Sequence, residues 1–206
     1  MSPQLIQSSI EIIIGILTLF AGGEFFVQGA ASLSLILGIP QLVIGLTVVS
    51  LGTSAPELFV SVGSFFRGSD AIALGNIVGS NIFNVLVVLG SSALVMPLRV
   101  ESRLVRRDVP LLLAVSAAVW GMASSGNFSW QSGIALLIAL GINTIWEIRT
   151  AREEPQSIKD AEPEIKFNSY SKKWLRAIGK IIAGILILGF GSNLLISGAK
   201  SLASAY

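Results

Sequence analysis

The sequence predicts an all-α, polytopic transmembrane helical bundle, and three observations carry that reading. Of 206 residues, 52% are hydrophobic and 13% are charged, about half the charged share of an average globular chain. Stretches without Asp, Glu, Lys or Arg run over 25–56, 71–98, 109–146 and 181–199. Each reaches about the 20 residues a helix needs to cross a bilayer core. Residues 12–33 also repeat at 181–202, so the bundle contains an internal duplication. In hydrocarbon every backbone polar group must be satisfied within its own segment, so uncharged stretches of this length are helices.

The six spans follow from charge gaps and turn signals. The first, 9–37, stops at Gly38-Ile39-Pro40-Gln41. The second, 42–66, stops at Arg67-Gly68-Ser69-Asp70, a connection short enough to force an antiparallel neighbour. The third, 71–97, meets the basic stretch Arg99 to Asp108. The fourth, 107–125, ends at Ser124-Ser125-Gly126-Asn127, and the fifth covers 130–149. Glu153, Glu154, Pro155, Asp160, Glu162, Pro163 and Glu164 then make a segment too hydrophilic to bury apolar surface, read as a mobile linker. The sixth span covers 174–203. The domain organisation is thus a five-helix membrane repeat over 1–150, a polar linker over 151–173, and a further helix within 174–206.

Numbering the loops alternately places Arg99, Arg103, Arg106, Arg107, Arg149, Arg152, Lys159, Lys166, Lys172, Lys173 and Arg176 on one side and Arg67 on the other. This asymmetry predicts a cytoplasmic linker and an external amino terminus in a cell or inner membrane. The first ten residues hold no Lys or Arg, so the first span is expected to stay in place as a helix, not to be removed as a leader. The net charge of +2 is explained by these loops beside the lipid bilayer, and nucleic acid is not an expected partner. Cysteine and histidine are absent, which argues against disulfide frameworks, thiolate metal sites, and hydrolases of the zinc or serine-histidine type. No nucleophile, base and orienter set is visible, so an enzyme is not expected, and no cofactor is called for.

In the duplication, eleven of twenty-two positions are identical at an offset of 169, among them Gly15, Gly22, Gly29, Ser32 and their partners Gly184, Gly191, Gly198 and Ser201. If the first and sixth helices are equivalent, the repeating unit has five helices. An odd number inverts the second copy, the inverted-topology repeat of secondary transporters.

Glu57 is the single ionisable residue inside the second span, and a carboxylate at helix centre costs about 2.5 to 3.5 kcal/mol on insertion scales. Pro56 lacks an amide hydrogen and its ring presses on the Gly52 carbonyl, so the helix is expected to break at Gly52-Thr53-Ser54-Ala55-Pro56-Glu57. The break frees carbonyls near Ser50 to Thr53 beside the Thr53 and Ser54 hydroxyls and the Glu57 carboxylate. Irregular backbone at this depth is tolerated only against protein or a water-filled cavity. On the third span Asn76, Ser80 and Asn84 share one face at i, i+4 and i+8, and Gly75 and Gly79 permit a close helix approach. The second and third spans are therefore expected to pack with Glu57 near Ser80 and Asn84. These are hard oxygen donors, suited to calcium and similar cations, although one carboxylate is few for calcium.

Plainer readings exist for each feature. A Gly-Pro kink alone serves structure, and Asn76, Ser80 and Asn84 serve equally as interhelical hydrogen-bond glue. Glu24 reads as a local capping or packing residue, with Asn193 at its repeat position, and Glu11 as a snorkelling residue near a span end. Asn127-Phe128-Ser129 matches a glycosylation acceptor.

The run Gly45-Leu46-Thr47-Val48-Val49-Ser50-Leu51-Gly52-Thr53-Ser54-Ala55-Pro56-Glu57, with Gly75-Asn76-Ile77-Val78-Gly79-Ser80-Asn81-Ile82-Phe83-Asn84, closely resembles the first alpha-repeat of the sodium/calcium exchanger family. The resemblance implies a ten-helix fold of two inverted five-helix repeats, of which this chain covers the first and one helix of the second. It implies that Ser50, Thr53, Ser54, Glu57, Ser80 and Asn84 line sodium and calcium sites. Glu57 would be the shared anionic ligand, Thr53 and Ser54 oxygen donors, Ser80 and Asn84 donors from the facing helix, and Ser50 a carbonyl donor. It implies calcium-for-sodium antiport by alternating access. The alternatives are a proton-coupled calcium exchanger, with the proton on Glu57, or an inactive half-transporter scaffold or channel-like protein that needs a partner. The second Gly-Thr-Ser-x-Pro-Glu motif does not occur in these 206 residues, so the expected partner is the missing second repeat or a second half-transporter.

Overall fold

The computed structural model describes residues 3–39, 41–100, 102, 104–126, 129–153 and 170–204. Among them there are helices and no strands. In chain order the helices are α1 (Pro3–Ile36), α2 (Gln41–Ile44), α3 (Ser50–Thr53), α4 (Ala55–Phe66), α5 (Asp70–Phe83), α6 (Gly90–Val95), α7 (Val109–Ser124), α8 (Trp130–Glu153) and α9 (Tyr170–Ala203). Three π-helical turns are continuous with them: Gly45–Val49 before α3, Asn84–Leu89 before α6 and Leu104–Asp108 before α7. Gly38, Gly68 and Gly126 take positive φ just past helix ends, the left-handed closure for which glycine has no Cβ penalty. The chain divides into two compact units, Met1–Ile82 with Ala151–Tyr206, and Phe83–Thr150. Most of the expected linker, 154–169, lies outside the described residues, as does the Asn127-Phe128 part of the glycosylation motif.

Four helical stretches are long and apolar enough to cross a bilayer, and a fifth is the pair Gly45–Thr53 and Ala55–Phe66, bent by 48°. The fourth expected span is the exception. Helix α7 has 16 residues, about 24 Å at 1.5 Å per residue, and the turn that extends it carries Arg106, Arg107 and Asp108. The apolar pattern of 109–123 continued into a polar, π-helical start that the charge gap alone did not resolve.

In the first unit, α1 and α9 pack antiparallel along their length. The sequence dictates this through glycines every seventh residue on both helices: Gly15, Gly22 and Gly29 on one, Gly184, Gly191 and Gly198 on the other. A seven-residue period keeps one stripe facing a partner, and glycine lets the backbones touch. A Cβ on Gly15 would lie 2.8 Å from the Leu195 amide nitrogen, and one on Gly184 would lie 2.6 Å from that of Phe26. The offset of 169 carries the first contact onto the second. It likewise carries Gly22 against Leu188 (2.8 Å to the amide nitrogen) onto Gly191 against Leu19 (2.9 Å), and Gly29 against the Ala177 carbonyl (2.8 Å) onto Gly198 against that of Ser8 (2.8 Å). The duplication is therefore a spatial two-fold. Its axis passes beside Leu19 and Leu188, which exchange with each other and are both buried.

Helix α4 crosses this pair. Ala55, Val60, Leu19, Leu188 and Ile196 form the core, with Phe26, Phe59 and Leu195 packed against it. Polar ties fix the ends. The Ser8 hydroxyl donates to Ser201 Oγ at 2.8 Å, Lys200 Nζ to the Arg67 carbonyl at 2.9 Å, and Lys180 Nζ to Gln28 Oε1 at 2.7 Å. Gln28 Nε2 in turn donates to Glu24 Oε1 at 2.5 Å, so Glu24 is held within its own helix.

The second unit comprises the turn Asn84–Leu89, α6, the turn Leu104–Asp108, α7 and α8. Arg107 Nη2 donates to Asn143 Oδ1 at 3.1 Å and ties the start of α7 to α8.

Candidate functional site

The break expected within Gly52-Thr53-Ser54-Ala55-Pro56-Glu57 is present, and it falls at Ser54, two residues before Pro56. Ser54 leaves the helical region at φ −90°, ψ 3°, between α3 and α4. Pro56 occupies the first turn of α4, where a missing amide hydrogen costs nothing. Upstream, Ser50 begins α3 immediately after the π turn Gly45–Val49, a feature with no propensity signal in sequence. The Thr53 hydroxyl donates to the Ser50 carbonyl at 2.9 Å, and the Ser54 carbonyl accepts the Leu58 amide at 3.0 Å. Ser50, Thr53 and Ser54 are exposed in this chain and Glu57 is half-buried. Four of the six candidate residues thus lie within eight positions around one bend.

The break rests on α1. A Cβ on Gly23 would meet Pro56 Cγ at 3.3 Å, and one on Gly52 would sit 2.5 Å from Val27 Cγ2. On the other side of the two-fold, Ser192 Oγ donates to the Phe59 carbonyl at 3.0 Å. Gly23 lies four residues past Leu19, and Ser192 four past Leu188, in opposite directions because the helices are antiparallel. Glu57 lies between the two contacts, at the level of the axis.

Glu57 Oε2 is buried and accepts no hydrogen bond from the described residues. A buried oxygen left without a partner carries a desolvation cost, which a bound cation would offset. Among the described residues no group of three acidic side chains gathers to hold a metal ion, and Glu57 is the carboxylate the break supplies.

The facing helix meets α4 through Asn76. Its Nδ2 donates to the Glu57 carbonyl at 3.1 Å and to Ser61 Oγ at 3.0 Å, so Asn76 acts as the glue that the plainer reading allowed. Ser80, half-buried, donates to its own helix at the Ile77 carbonyl, 3.2 Å away. Asn84 opens the π turn Asn84–Leu89 and belongs to the second unit. Among the described residues a Cβ on Gly75 or Gly79 meets nothing within 4 Å, so the close approach expected there is not seen. Helix α4 turns its buried face, Ala55, Val60 and Ser64, toward α1 and α9.

A broken apolar span with a buried carboxylate, set on an antiparallel helix pair whose contacts repeat through a two-fold, defines a multi-pass membrane protein built on an inverted-topology repeat. The family model for the sodium/calcium exchanger protein matches residues 8–149, and the chain belongs to that family. It is 37% identical over 150 residues to the inner membrane protein YrbG of Escherichia coli, covering 73% of this chain and 46% of the relative. It is 29% identical over 206 residues to the putative antiporter CaxA of Alkalimonas amylolytica, covering 98% of this chain and 63% of the relative. The fold is similar to the sodium-calcium exchanger NCX_Mj, solved after soaking with sodium and strontium, at a TM-score of 0.55 and 30% identity over 98% of this chain and 63% of that one. The chain thus spans less than two thirds of the length of each.

Proposed function

We propose that this chain supplies one half of a cation antiporter in which calcium and sodium compete for a site at the Ser54 break, exposed alternately to the two sides of the membrane. The observation that carries the proposal is the buried, unpaired Glu57 Oε2 at the level of the two-fold axis. Thr53, Ser54 and the Ser50 carbonyl are the nearest oxygen donors in sequence, and Ser80 and Asn84 are the donors assigned from the following helix. Glu57 alone leaves bound calcium with a net positive charge in low dielectric. A carboxylate brought in by the axis would stand at the same depth and neutralise it. The test is isotopic calcium uptake into liposomes. The exchanger with both repeats is expected to take up calcium against an outward sodium gradient, and the 206-residue chain alone is expected to show little uptake. Uptake driven only by a proton gradient would move the coupling to protonation of Glu57, and uptake needing neither gradient would replace the antiporter by a channel.

The same reading orients the protein with its amino terminus outside and the 151–173 segment in the cytoplasm, on the Lys and Arg asymmetry. The cysteine-free background makes the check direct. A single cysteine at Ser2 is expected to react with an impermeant maleimide on intact cells and one at Ser157 only after lysis. The reverse pattern overturns the orientation.

A further inference from the structure

Glu24 lies deep in the first span. It stands two residues past Gly22, about 3 Å along the helix from the close approach to Leu188, and it is exposed. Among the described residues its carboxylate accepts the Gln28 amide and forms no ion pair. Lys180, the cation of this corner, donates to Gln28 Oε1 instead. A carboxylate inside a span is costly in hydrocarbon and is ordinarily paired or turned to the interior of a bundle. One amide leaves it short of a cation.

The two-fold shows where a cation would come from. In this half the turn after α4 lies on α9: Arg67 Nη1 donates to the Asn193 carbonyl at 3.4 Å, and the Arg67 carbonyl accepts from Lys200 Nζ at 2.9 Å. Subtracting the offset of 169 carries Asn193 onto Glu24 and Lys200 onto Ala31. In an inverted copy of this half, the counterpart of the Arg67-Gly68-Ser69-Asp70 turn therefore stands on α1 at Glu24 and Ala31. The two places differ in charge. Where α9 offers the turn a neutral Asn193 and a cationic Lys200, α1 offers a carboxylate and a methyl group, so the place on α1 selects a basic turn. The proposed topology agrees. With the Arg67 turn outside, its inverted counterpart falls on the cytoplasmic side, where lysine and arginine are favoured in loops.

We propose that Glu24 and Ala31 receive the turn between the second and third helices of the complementary repeat, and that a lysine or arginine of that turn, at the place Arg67 holds in this half, pairs with the Glu24 carboxylate. The proposal rests on the two-repeat reading given above. Gln28 orients the acid: its amide holds Glu24 Oε1 while its own oxygen is taken by Lys180, which lowers the ordering cost of adding a second partner. A metal ion would find a single carboxylate here, because both polar atoms of Gln28 are engaged.

The test uses the exchanger with both repeats, free of cysteine as this chain is. One cysteine replaces Glu24, and another replaces the tenth residue after the glutamate of the second Gly-Thr-Ser-x-Pro-Glu motif, the spacing that separates Arg67 from Glu57. A bifunctional maleimide of arginine length joins neighbouring thiols, and mass spectrometry reads the joined peptides. Arg67→Cys with Asn193→Cys is the positive control, since that contact lies within this chain. Cross-linking of Glu24→Cys in a yield comparable to the control is expected, and its absence beside a cross-linked control overturns the placement. The charge is tested by Glu24→Gln, whose amide oxygen still accepts from Gln28. This change is expected to lower the melting temperature of the exchanger by several degrees and not to lower that of the 206-residue chain alone. An equal drop in both, or none in either, overturns the pairing. Neither readout depends on transport. An exchanger that cross-links but carries no calcium would reject the antiporter and leave the contact standing, and calcium exchange without the cross-link would reject the contact alone.

Discussion

Glu57→Gln in the exchanger carrying both repeats is expected to bring cation-coupled calcium flux down to the leak of protein-free liposomes, a loss of about 100-fold or more if the carboxylate is the shared ligand. The amide keeps the side-chain volume and removes the charge that balances a cation in low dielectric. Folding is not the cost. Oε2 is already buried without a hydrogen bond, so replacing the carboxylate removes a desolvation penalty that insertion scales place at about 2.5 to 3.5 kcal/mol for a charge at helix centre. The Asn76 bond goes to the Glu57 main-chain carbonyl and survives the change. Isotopic calcium flux and the amount of protein in the membrane are measured together. Normal flux at normal abundance would reject Glu57 as the ligand.

The second large effect is on assembly. Gly22→Leu and Gly184→Leu each place a side chain where a Cβ already lies 2.8 Å from the Leu188 nitrogen or 2.6 Å from the Phe26 nitrogen. Backbone cannot yield as a flexible side chain can, so α1 and α9 must separate. Overpacking of this kind costs about 3 kcal/mol or more, roughly 10 °C in melting temperature for a chain of this size. Gly189→Leu is the control, since a Cβ there meets nothing within 4 Å. Thermal melting of the detergent-extracted protein separates the cases. If Gly22→Leu melts with the unaltered chain, the glycine stripe is not what holds the pair together.

The two glycine patterns show what the sequence could and could not convey. Gly75 and Gly79 on α5 satisfy a small-xxx-small rule, yet no described residue comes within 4 Å of a Cβ placed on either. That rule states what a helix permits and is silent on where a partner stands. Gly15, Gly22, Gly29 and their counterparts were visible as repeat identities. Their use in packing follows only when a shared seven-residue period is combined with opposed directions. The break was legible because Pro56 removes a donor and presses on a carbonyl, both local effects. Local chemistry could not place it at Ser54, because Pro56 is accommodated in the first turn of α4 and the dihedral change falls before that turn begins. The π turn ahead of Ser50 was beyond reach for a related reason: one extra residue per turn is settled by packing. Asn76 was singled out on the right face of its helix, but its acceptors, a main-chain carbonyl and the Ser61 hydroxyl, depend on how two spans meet. Ser50, Thr53, Ser54 and Glu57 were singled out together because eight consecutive positions around one bend carry them. Ser80 and Asn84 sit on another helix, and sequence spacing offers no distance across that gap.

The pairing of α1 with α9 is isologous in form, the kind of contact two identical subunits make across a dyad. Each close approach occurs twice, so six glycines encode three contacts, and a change on one helix is answered at a matching place on the other. Such an interface has the form of a dimer of opposed halves joined in one polypeptide. Within residues 1–150, Arg99, Arg103, Arg106, Arg107 and Arg149 are assigned to one side of the membrane and Arg67 to the other, a bias that on the proposed topology would favour one orientation of this half. On the proposed topology a second copy inserted upside down would oppose that bias, and a complementary half that pairs through the same glycine stripe would be expected to carry a different charge pattern in its loops.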